Sequence, residues 1–410
     1  MKKLVFGLSL LMVVSLFSCS DDDAPILQSD LNLVLNPPAK LKAPTFKSGT
    51  VTITNVNSGE EISKDLYGFM LPQMSLEDGL YNFTVEAEVD YFTRDVDDKI
   101  IFATTGIRGF SENVEVTGGT FDLTIDLFEY RKNTSFVISE IFFSGTKTPE
   151  GKQYNDDKYF EIYNNTDKIL YADGLCIAES ELNTAMSLNK YTPDIRPEST
   201  PVSSVYRIPG DGDDYPVEPG KSIIVCDVAI DHSAENANSF DLSIADFEWF
   251  DGADIDVDVP EVPNMEKMVS TSASVWGLHN RGFTSYVLFK MDGVTPEKFN
   301  TDYAYHYQYT FVWGDFVKDM EFDAWQVPNE LIIDAVECST PSDYEWKALD
   351  PSLDLTWTHA GDGDDARYGK CVKRKVSHKE GERVVLLDTN NSAFDFIPTA
   401  DPTPGVIEEE

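Results

Sequence analysis

The sequence is poor in positive charge. Its 410 residues include 32 lysine and arginine residues against 72 aspartate and glutamate residues, which gives a formal net charge of −40. Proteins that bind DNA, RNA or anionic lipid headgroups need basic side chains to neutralise phosphate groups. The composition therefore argues against a nucleic-acid partner and against membrane attachment through a basic face. It is typical of a self-repelling, solvated surface that remains soluble outside a cell.

Recognised catalytic signatures are also missing from the sequence. There is no G-x-S-x-G elbow, no P-loop, and no C-x-x-C pair that would suggest redox chemistry or a zinc ribbon. Histidine is scarce and shows neither HExxH nor His-x-His spacing, although a zinc site could still be assembled in space. The five histidines are His232, His279, His306, His359 and His378. We therefore predict that the protein is not an enzyme and has no organic cofactor.

Cysteine is equally scarce, with five residues in the chain. Cys19 lies near the N-terminus, and the other four lie in or beside predicted strands. Four thiols in an oxidising compartment allow three disulfide connectivities. Free thiols buried in a core are the alternative, and the pattern does not choose between the two. The four residues are Cys176, Cys226, Cys338 and Cys371.

No apolar run near the N-terminus is long enough for a stable membrane span. Residues 4–17 are apolar and follow the basic residues 1–3, which predicts a signal peptide over 1–18. The pair Ser18-Cys19 after this run resembles a lipobox, which implies cleavage before Cys19 and acylation of that residue. Several acyl chains together give stable anchoring to a membrane.

The residues directly after Cys19 are acidic. They resemble the export tag of Bacteroidota lipoproteins, which implies a position on the outer face of the outer membrane, with a periplasm-facing position as the alternative. The tag consists of Ser20, Asp21, Asp22 and Asp23. Residues 19–45 contain several prolines and no long periodic segment, which predicts a flexible tether.

A first folded unit is predicted over residues 46–133. Short runs rich in β-branched residues alternate with turn signals at the interval expected for a β-sandwich. The runs cover residues 49–56, 80–89, 99–107, 112–118 and 120–128. The order of VTITN and DGLYNFTVEA resembles the carboxypeptidase-regulatory-like or transthyretin-like sandwich. That resemblance implies a spacer or interaction domain.

A second folded unit is predicted over residues 134–410. In residues 159–163, Phe160 and Ile162 point to one side, which is the period-two pattern of a strand. Residues 330–339 form a continuous apolar run, typical of a strand buried on both faces. The order of ISEIFF, KYFEIYNNTDKILYADGL, PGKSIIV, LIIDAVEC and PTPGV resembles the immunoglobulin-like lamin-tail domain, with a long insertion at about 233–325. Lamin-tail domains are mostly adhesion or docking modules.

The predicted fold is therefore all-β, with two β-sandwich domains in tandem. The pairing of these two domains behind a lipidated cysteine resembles a family of bacterial surface lipoproteins of unknown function. That resemblance names no ligand and no reaction.

One run of aromatic residues is a candidate ligand platform. In residues 303–313 an aromatic side chain occupies every second position, so a strand here would present six rings on one face. The rings belong to Tyr303, Tyr305, Tyr307, Tyr309, Phe311 and Trp313. They could form the inner face of the sandwich, with tyrosine hydroxyls satisfied at its edge. Alternatively, they could form a flat platform for sugar rings or a peptide.

Two acidic turns could hold calcium, which binds six to eight oxygen ligands. Each turn combines three aspartates with a glycine, but neither matches a full EF-hand loop. The residues are Asp211, Asp213 and Asp214 in the first turn, and Asp362, Asp364 and Asp365 in the second. Two solvated polar loops are the simpler interpretation.

A pair of carboxylates, Glu140 and Glu161, lies on strands that the lamin-tail resemblance places side by side. Such a pair could perform acid–base chemistry. The resemblance implies instead that both accept structural hydrogen bonds.

Together these features predict a lipid-anchored, surface-exposed protein that binds a protein or glycan partner without catalysis. The alternatives are a hydrolase with a site in the 233–325 insertion and a calcium-stabilised adhesin.

Overall fold

The structure is a computed structural model that describes residues 28–39, 41–71, 73–94, 100–130, 135–186, 191–314 and 316–408. The predicted signal peptide, Cys19 and the tag from Ser20 to Asp23 lie outside the described residues. Among the residues in these ranges, the longest helix has 7 residues, whereas a membrane-spanning helix needs about 20 apolar residues.

The first unit is built from eight strands in two sheets. The strands are β1 (Gln28–Asn36), β2 (Lys42–Asn55), β3 (Glu61–Asp65), β4 (Met74–Glu77), β5 (Gly79–Arg94), β6 (Ile100–Val116), β7 (Gly119–Asp126) and β8 (Phe128–Tyr130). One sheet has the order β4-β1-β7, and the other has the order β3-β2-β5-β6-β8. Their inner faces enclose a core that includes Val51, Phe83 and Val85. The runs predicted over 99–107 and 112–118 belong to a single strand, β6.

The prediction of a flexible tether over residues 19–45 is wrong for the described part of that range. Leu31, Leu33 and Leu35 on β1 are buried in the core, and β1 pairs in parallel with β7 over its length. β2 begins at Lys42 and pairs with β5. Alternating leucines supply enough apolar surface to hold β1 in the sheet.

The second unit contains nineteen strands and three short helices among the described residues. The strands are β9 (Phe136–Phe142), β10 (Thr146–Lys147), β11 (Gln153–Tyr154), β12 (Tyr159–Asn164), β13 (Leu170–Tyr171), β14 (Leu175–Ser180), β15 (Ser199–Arg207), β16 (Pro216–Val217), β17 (Ser222–Cys226), β18 (Phe247–Glu248), β19 (Glu266–Ser270), β20 (Tyr286–Lys290), β21 (Ala304–Trp313), β22 (Phe316–Pro328), β23 (Ile332–Val336), β24 (Cys371–Arg374), β25 (Val376–Glu380), β26 (Arg383–Leu386) and β27 (Phe396–Ala400). The helices are α1 (Pro296–Asp302), α2 (Asp364–Arg367) and α3 (Ser392–Asp395), and 3-10 turns occupy His232–Ala234 and Asn329–Leu331.

Two large sheets form the sandwich of this unit. A six-stranded sheet has the order β18-β17-β12-β9-β24-β27, and a seven-stranded sheet has the order β21-β22-β15-β14-β20-β23, with β19 paired to β15. Phe160 and Ile162 on β12 point into the core between the sheets, as their alternation predicts. Tyr159 and Tyr163 on the other face of β12 are also buried, in two smaller clusters. The all-β prediction is confirmed.

The predicted insertion at about 233–325 does not lie wholly outside the framework. β20, within that range, pairs with β14 on one side and with β23 on the other. Its residues Tyr286 and Leu288 are part of the main core. A strand with a neighbour on each side cannot be an appendage, because removing β20 would expose one edge of β14 and separate β23 from the sheet.

All four cysteines of the described residues are buried free thiols. Cys176, Cys226, Cys338 and Cys371 lie in three different apolar clusters. Burial raises the pKa of the Cys176 thiol to about 12, so the reactive thiolate is disfavoured. The sequence left open whether these cysteines form disulfides or are buried free thiols, and in the structure they are free thiols.

A buried arginine joins the two large sheets. Arg374 on β24 donates to the Asp334 carboxylate on β23 at 2.6 Å and to the carbonyl of Ile138 on β9 at 2.8 Å. The same Asp334 carboxylate accepts from the backbone N–H of Ile138 at 2.6 Å. Asp395 lies 3.7 Å away and Asp388 lies 3.4 Å away. The network therefore crosslinks one sheet to the other through charge-assisted hydrogen bonds.

Replacing Arg374 tests this crosslink. Arg374→Ala leaves the Asp334 carboxylate buried without its cation, so we expect a loss of about 3–5 kcal/mol in the free energy of unfolding. Urea denaturation followed by tryptophan fluorescence measures it. Arg281→Ala, which truncates an exposed arginine, is the matched control and should change stability by no more than about 0.5 kcal/mol. Equal losses in both variants would contradict the assignment.

Candidate ligand-binding site

Two charged side chains lie at one end of the core between the large sheets. Lys158 precedes β12 and Asp227 follows β17, and the backbone N–H of Asp227 donates to the Lys158 carbonyl at 3.0 Å. Because side chains alternate across a strand, these two residues continue the inward-facing series that includes Phe160 and Val225. They therefore extend the core at one end of the sandwich.

A cleft of about 370 Å³ is open at this end, and we call it the Lys158 cleft. Three loops form its walls together with the ends of β12 and β17. Carboxylates and amides alternate along these walls with aliphatic side chains, so the cleft offers both polar and apolar contacts. The lining residues are Gln153, Asn155, Asp156, Lys158, Asp227, Val228, Ile255, Asp256, Val257, Val275, Gly277, Leu278 and Asn280.

Buried hydrogen bonds hold two of the three loops in place. The Asp251 carboxylate accepts from the Tyr206 hydroxyl on β15 at 2.6 Å and from the backbone N–H of Trp276 at 2.8 Å. The Trp276 indole N–H donates to Glu179 on β14 at 2.8 Å. The Trp276 ring itself stacks on Tyr206 with 4.6 Å between ring centroids. The cleft is therefore tied to the seven-stranded sheet and is preformed.

Lys158 and Asp227 are almost fully buried, with exposed fractions of 4% and 7%. The Lys158 ammonium donates to the carbonyl of Leu278 at 2.8 Å. Among the described residues, the Asp227 carboxylate accepts no hydrogen bond, and the Lys158 ammonium attracts it without an ion-pair contact. Burial lowers the pKa of Lys158, and burial together with nearby Asp156 raises the pKa of Asp227 well above its ordinary value. A buried polar group without a partner is costly. Lys158 has the Leu278 carbonyl as its partner, whereas Asp227 has no hydrogen-bond donor among the described residues.

Neither Lys158 nor Asp227 stands out in the sequence as a site residue. The available signal is positional, since each directly flanks an apolar run that the sequence correctly predicts as a strand. Pairing those two strands, Tyr159 opposite Cys226, places the flanking charges next to each other. That pairing follows from the tertiary fold and is not visible in either run alone.

The predicted aromatic platform is wrong for two of its rings. Tyr305 and Tyr307 are each 4% exposed. Their hydroxyls donate to the Pro193 carbonyl at 2.6 Å and to Glu181 at 2.8 Å. They stack in a small core with Tyr191 against one side. These rings are core residues with satisfied hydroxyls, which is the alternative that the sequence allowed.

The remaining platform residues are less buried. Tyr303 stacks on Phe299 of α1 with 4.9 Å between centroids, and Tyr309 and Phe311 are half-buried on β21. The Trp313 side chain lies outside the described residues. None of these rings lines the Lys158 cleft.

The calcium prediction finds no support in the structure. In the described part of the chain, no group of three or more acidic, histidine or cysteine residues is placed to hold a metal ion. Loop 210–215 wraps around Asp173, whose carboxylate accepts backbone N–H bonds from Gly212, Asp214 and Tyr215 at 3.0 Å. Asp211, Asp213 and Asp214 are exposed, and the Asp214 carboxylate accepts from the backbone N–H of Asp211 at 2.9 Å.

The second acidic turn has partners within the protein. Asp362 accepts from the Ser342 hydroxyl at 2.7 Å, and Asp365 pairs with Lys147 at 3.3 Å. Asp364 opens α2, and its side chain lies outside the described residues. The turn therefore docks on neighbouring loops through separate contacts.

Glu140 and Glu161 lie opposite each other on β9 and β12, and they hold the C-terminal segment. Glu140 accepts from the backbone N–H of Thr403 at 3.0 Å, and Glu161 accepts from that of Gly405 at 3.2 Å. Glu140 also accepts from the Tyr159 hydroxyl. The structural role that the resemblance implied is the one observed.

The histidines do not converge on the cleft. Burial lowers the pKa of His279 to about 4, and its Nδ1 accepts from the Phe283 N–H at 3.4 Å. His306 pairs with Asp323 at 2.9 Å on the exposed β21–β22 hairpin. None of the five is among the residues that line the Lys158 cleft.

Residues 218–403, just under half of the chain, match a family described as a protein of unknown function, DUF4876. A crystal structure of a DUF4876 family protein from Bacteroides thetaiotaomicron VPI-5482 is similar, with 20% identity, 93% of this chain and 98% of that chain covered, and a TM-score of 0.56. This likeness shows a shared fold. None of the curated proteins matches the chain.

Two further solved structures are only distantly similar. A proposed adhesin from Bacteroides ovatus ATCC 8483 is 12% identical, with 78% of this chain and 88% of that chain covered and a TM-score of 0.18. A proposed cell adhesion protein from Bacteroides eggerthii DSM 20697 is 10% identical, with 74% and 80% covered and a TM-score of 0.18. These scores carry no argument about function. The expected match to a family of unknown function is found; the lamin-tail-like and carboxypeptidase-regulatory-like assignments stay predictions.

The buried pair that holds the C-terminal segment predicts a pH dependence. Burial raises the pKa of Glu161 from 4.5 to about 7, so the folded state binds a proton that the unfolded state has lost. Stability from this group is full below pH 4.5 and is lost as the pH rises through 7, by roughly 3 kcal/mol.

Comparing Glu161→Gln with the unchanged protein isolates this effect. Unfolding free energies at pH 4.5 and pH 8 should differ less in the variant, because glutamine does not titrate. Glu218→Gln, at an exposed carboxylate, should keep the full pH dependence. Identical pH profiles in all three proteins would refute the role of Glu161.

Proposed function

We propose that this protein is a lipid-anchored outer-membrane protein exposed at the cell surface, where it binds a protein or glycan partner without catalysis. The partner is bound in the Lys158 cleft. The observation that carries this proposal is the buried Asp227 carboxylate, which faces the cleft with no hydrogen-bond partner among the described residues. A buried polar group without a partner costs stability, and a ligand that bonds it offsets that cost.

The construction of the cleft supports binding. Its volume of about 370 Å³ lies near the lower end of the range for small-molecule sites, which are usually preformed. Trp276 and Asp251 hold its loops without a ligand. Among the described lining residues there is no serine, threonine, cysteine or histidine, so the cleft offers no hydroxyl, thiol or imidazole side chain as a nucleophile.

The surface location rests on the N-terminal sequence. A lipidated Cys19 would attach the chain to the membrane, and the acidic residues after it would direct it to the outer face. The strongly negative charge, −40 over the chain, suits a protein that faces solvent from a lipid anchor rather than one that lies flat on an anionic membrane.

A filled cleft tests the binding proposal. A Cβ at Gly277 would meet no atom within 4 Å, and Gly277 lines the cleft, so we expect Gly277→Trp to obstruct the cleft with its indole. We expect the full chain to bind members of an immobilised panel of glycans and peptides, and Gly277→Trp to lose at least tenfold in affinity. Gln308→Trp, on an exposed position of β21, is the matched control and should bind normally.

Two outcomes would contradict the proposal. One is that no glycan and no peptide binds the unchanged chain. The other is that Gly277→Trp, with an unchanged melting temperature, binds as tightly as Gln308→Trp.

Replacing the anchor residue tests the location. Cys19→Ala should remove the site of acylation and move the protein from the membrane fraction to the soluble fraction on ultracentrifugation. Replacing Asp21, Asp22 and Asp23 together by alanine should leave the protein in the membrane fraction but protect it from protease added to whole cells. A Cys19→Ala protein that still sediments with membranes would exclude lipid anchoring through this residue.

A further inference from the structure

We infer that the ligand of the Lys158 cleft is a neutral sugar residue of a glycan, held by hydroxyl groups that bridge Lys158 and Asp227. This inference rests on the proposed function, because it names the class of ligand for the same site.

The two buried groups leave unused hydrogen-bonding capacity of opposite kinds. An ammonium group has three N–H donors, and that of Lys158 uses one of them on the Leu278 carbonyl. The Asp227 carboxylate accepts no bond from the described residues. A ligand that satisfies both must accept from Lys158 and donate to Asp227. A hydroxyl group does both, and adjacent hydroxyls on a ring can serve the two side chains at once.

The charges in the cleft disfavour ionic ligands. A ligand amine would pair with Asp227 but would be repelled by Lys158. A ligand carboxylate or phosphate would pair with Lys158 but would be repelled by Asp227 and by Asp156 at the rim. A neutral hydroxyl avoids both penalties. It also suits either form of Asp227, since a carboxylate accepts and a carboxylic acid both donates and accepts.

The remaining walls match the rest of a sugar ring. Val257, Val275 and Leu278 supply aliphatic surface for the C–H face of a pyranose. Asn155 and Asn280 supply amides, which can donate and accept towards further hydroxyls. Ile255 at the rim is 77% exposed, which leaves an apolar contact for a neighbouring unit of the glycan.

Calorimetric titration of the full chain and two variants tests this inference. Lys158→Met and Asp227→Leu each remove a polar partner while keeping a side chain of similar size. For a neutral oligosaccharide, both variants should bind about 10- to 100-fold more weakly, which is the effect of losing a hydrogen bond to a charged group. Melting curves of both variants provide the control for folding. Asp227→Leu should melt at or above the unchanged protein, because it removes a buried carboxylate without a partner.

The sign of the two effects separates the ligand classes. If the bound ligand is an amine or a basic peptide, Lys158→Met should tighten binding while Asp227→Leu abolishes it. If the ligand is an acid, the two effects should be reversed. Either result overturns the sugar assignment but leaves the cleft as the binding site. Loss of binding in both variants and in Gly277→Trp, with neutral glycans as the only ligands, is the result that we expect.

The same variants also test whether the Lys158 cleft is the binding site at all. If neutral glycans bind but Gly277→Trp, Lys158→Met and Asp227→Leu all bind them normally, the cleft is not the site, and both proposals fail. If only peptides bind and Gly277→Trp blocks them, the proposed function holds and the sugar inference fails.

Discussion

The second unit depends on one guanidinium that is buried between its two large sheets. Arg374 bonds the Asp334 carboxylate on the facing sheet at 2.6 Å, and that carboxylate also accepts from the backbone of Ile138. A buried charge pair costs desolvation energy and is worth little unless its other hydrogen bonds are made, as they are here. Its main effect is on register, because a shift of β23 by one residue would turn Asp334 away from Arg374. The pair therefore fixes how the two sheets face each other.

The Lys158 cleft also contains buried charged groups, but they are arranged differently from those of the Arg374 network. Arg374 and Asp334 bond each other directly, whereas Lys158 and Asp227 make no ion-pair contact although they flank paired strands. Natural proteins tolerate a buried carboxylate without a hydrogen-bond donor, such as that of Asp227, mainly where function requires it, since it lowers stability. The cost is tolerable here because the surrounding loops are held independently through Trp276. In the function that we propose, stability and binding depend on different charged pairs. Arg374 and Asp334 join the two large sheets, whereas Lys158 and Asp227 flank neighbouring strands of the six-stranded sheet.

The sequence predicted the fold class and the alternation of β12 because period-two patterning reports directly on which face of a strand is buried. It predicted a structural role for Glu140 and Glu161 only through a family resemblance. The sequence did not predict β1, because the nearby prolines indicated a tether although three leucines occupy alternate positions. It did not predict β20 as part of the framework, because that strand is short and lies inside an apparent insertion. Lys158 and Asp227 were invisible because their significance arises from strand pairing between segments 69 residues apart, counted from 158 to 227.

The overall charge bears on what such a cleft can select. With a net charge of −40, the surface field repels anions at long range before they reach Lys158, and it attracts cations without distinction. Inside the cleft the Lys158 ammonium repels cations. Neither anionic nor cationic ligands are therefore favoured both by the surface field and by the contacts in the cleft. The surface field neither attracts nor repels a neutral ligand, so its affinity depends only on hydrogen bonds and shape complementarity in the cleft. A site that buries polar groups for hydroxyls discriminates strongly against analogues that lack them, because its own groups would then stay unpaired. The combination of an acidic exterior and a mixed-charge interior therefore favours selection by hydroxyl pattern, which is the property that distinguishes one neutral sugar from another.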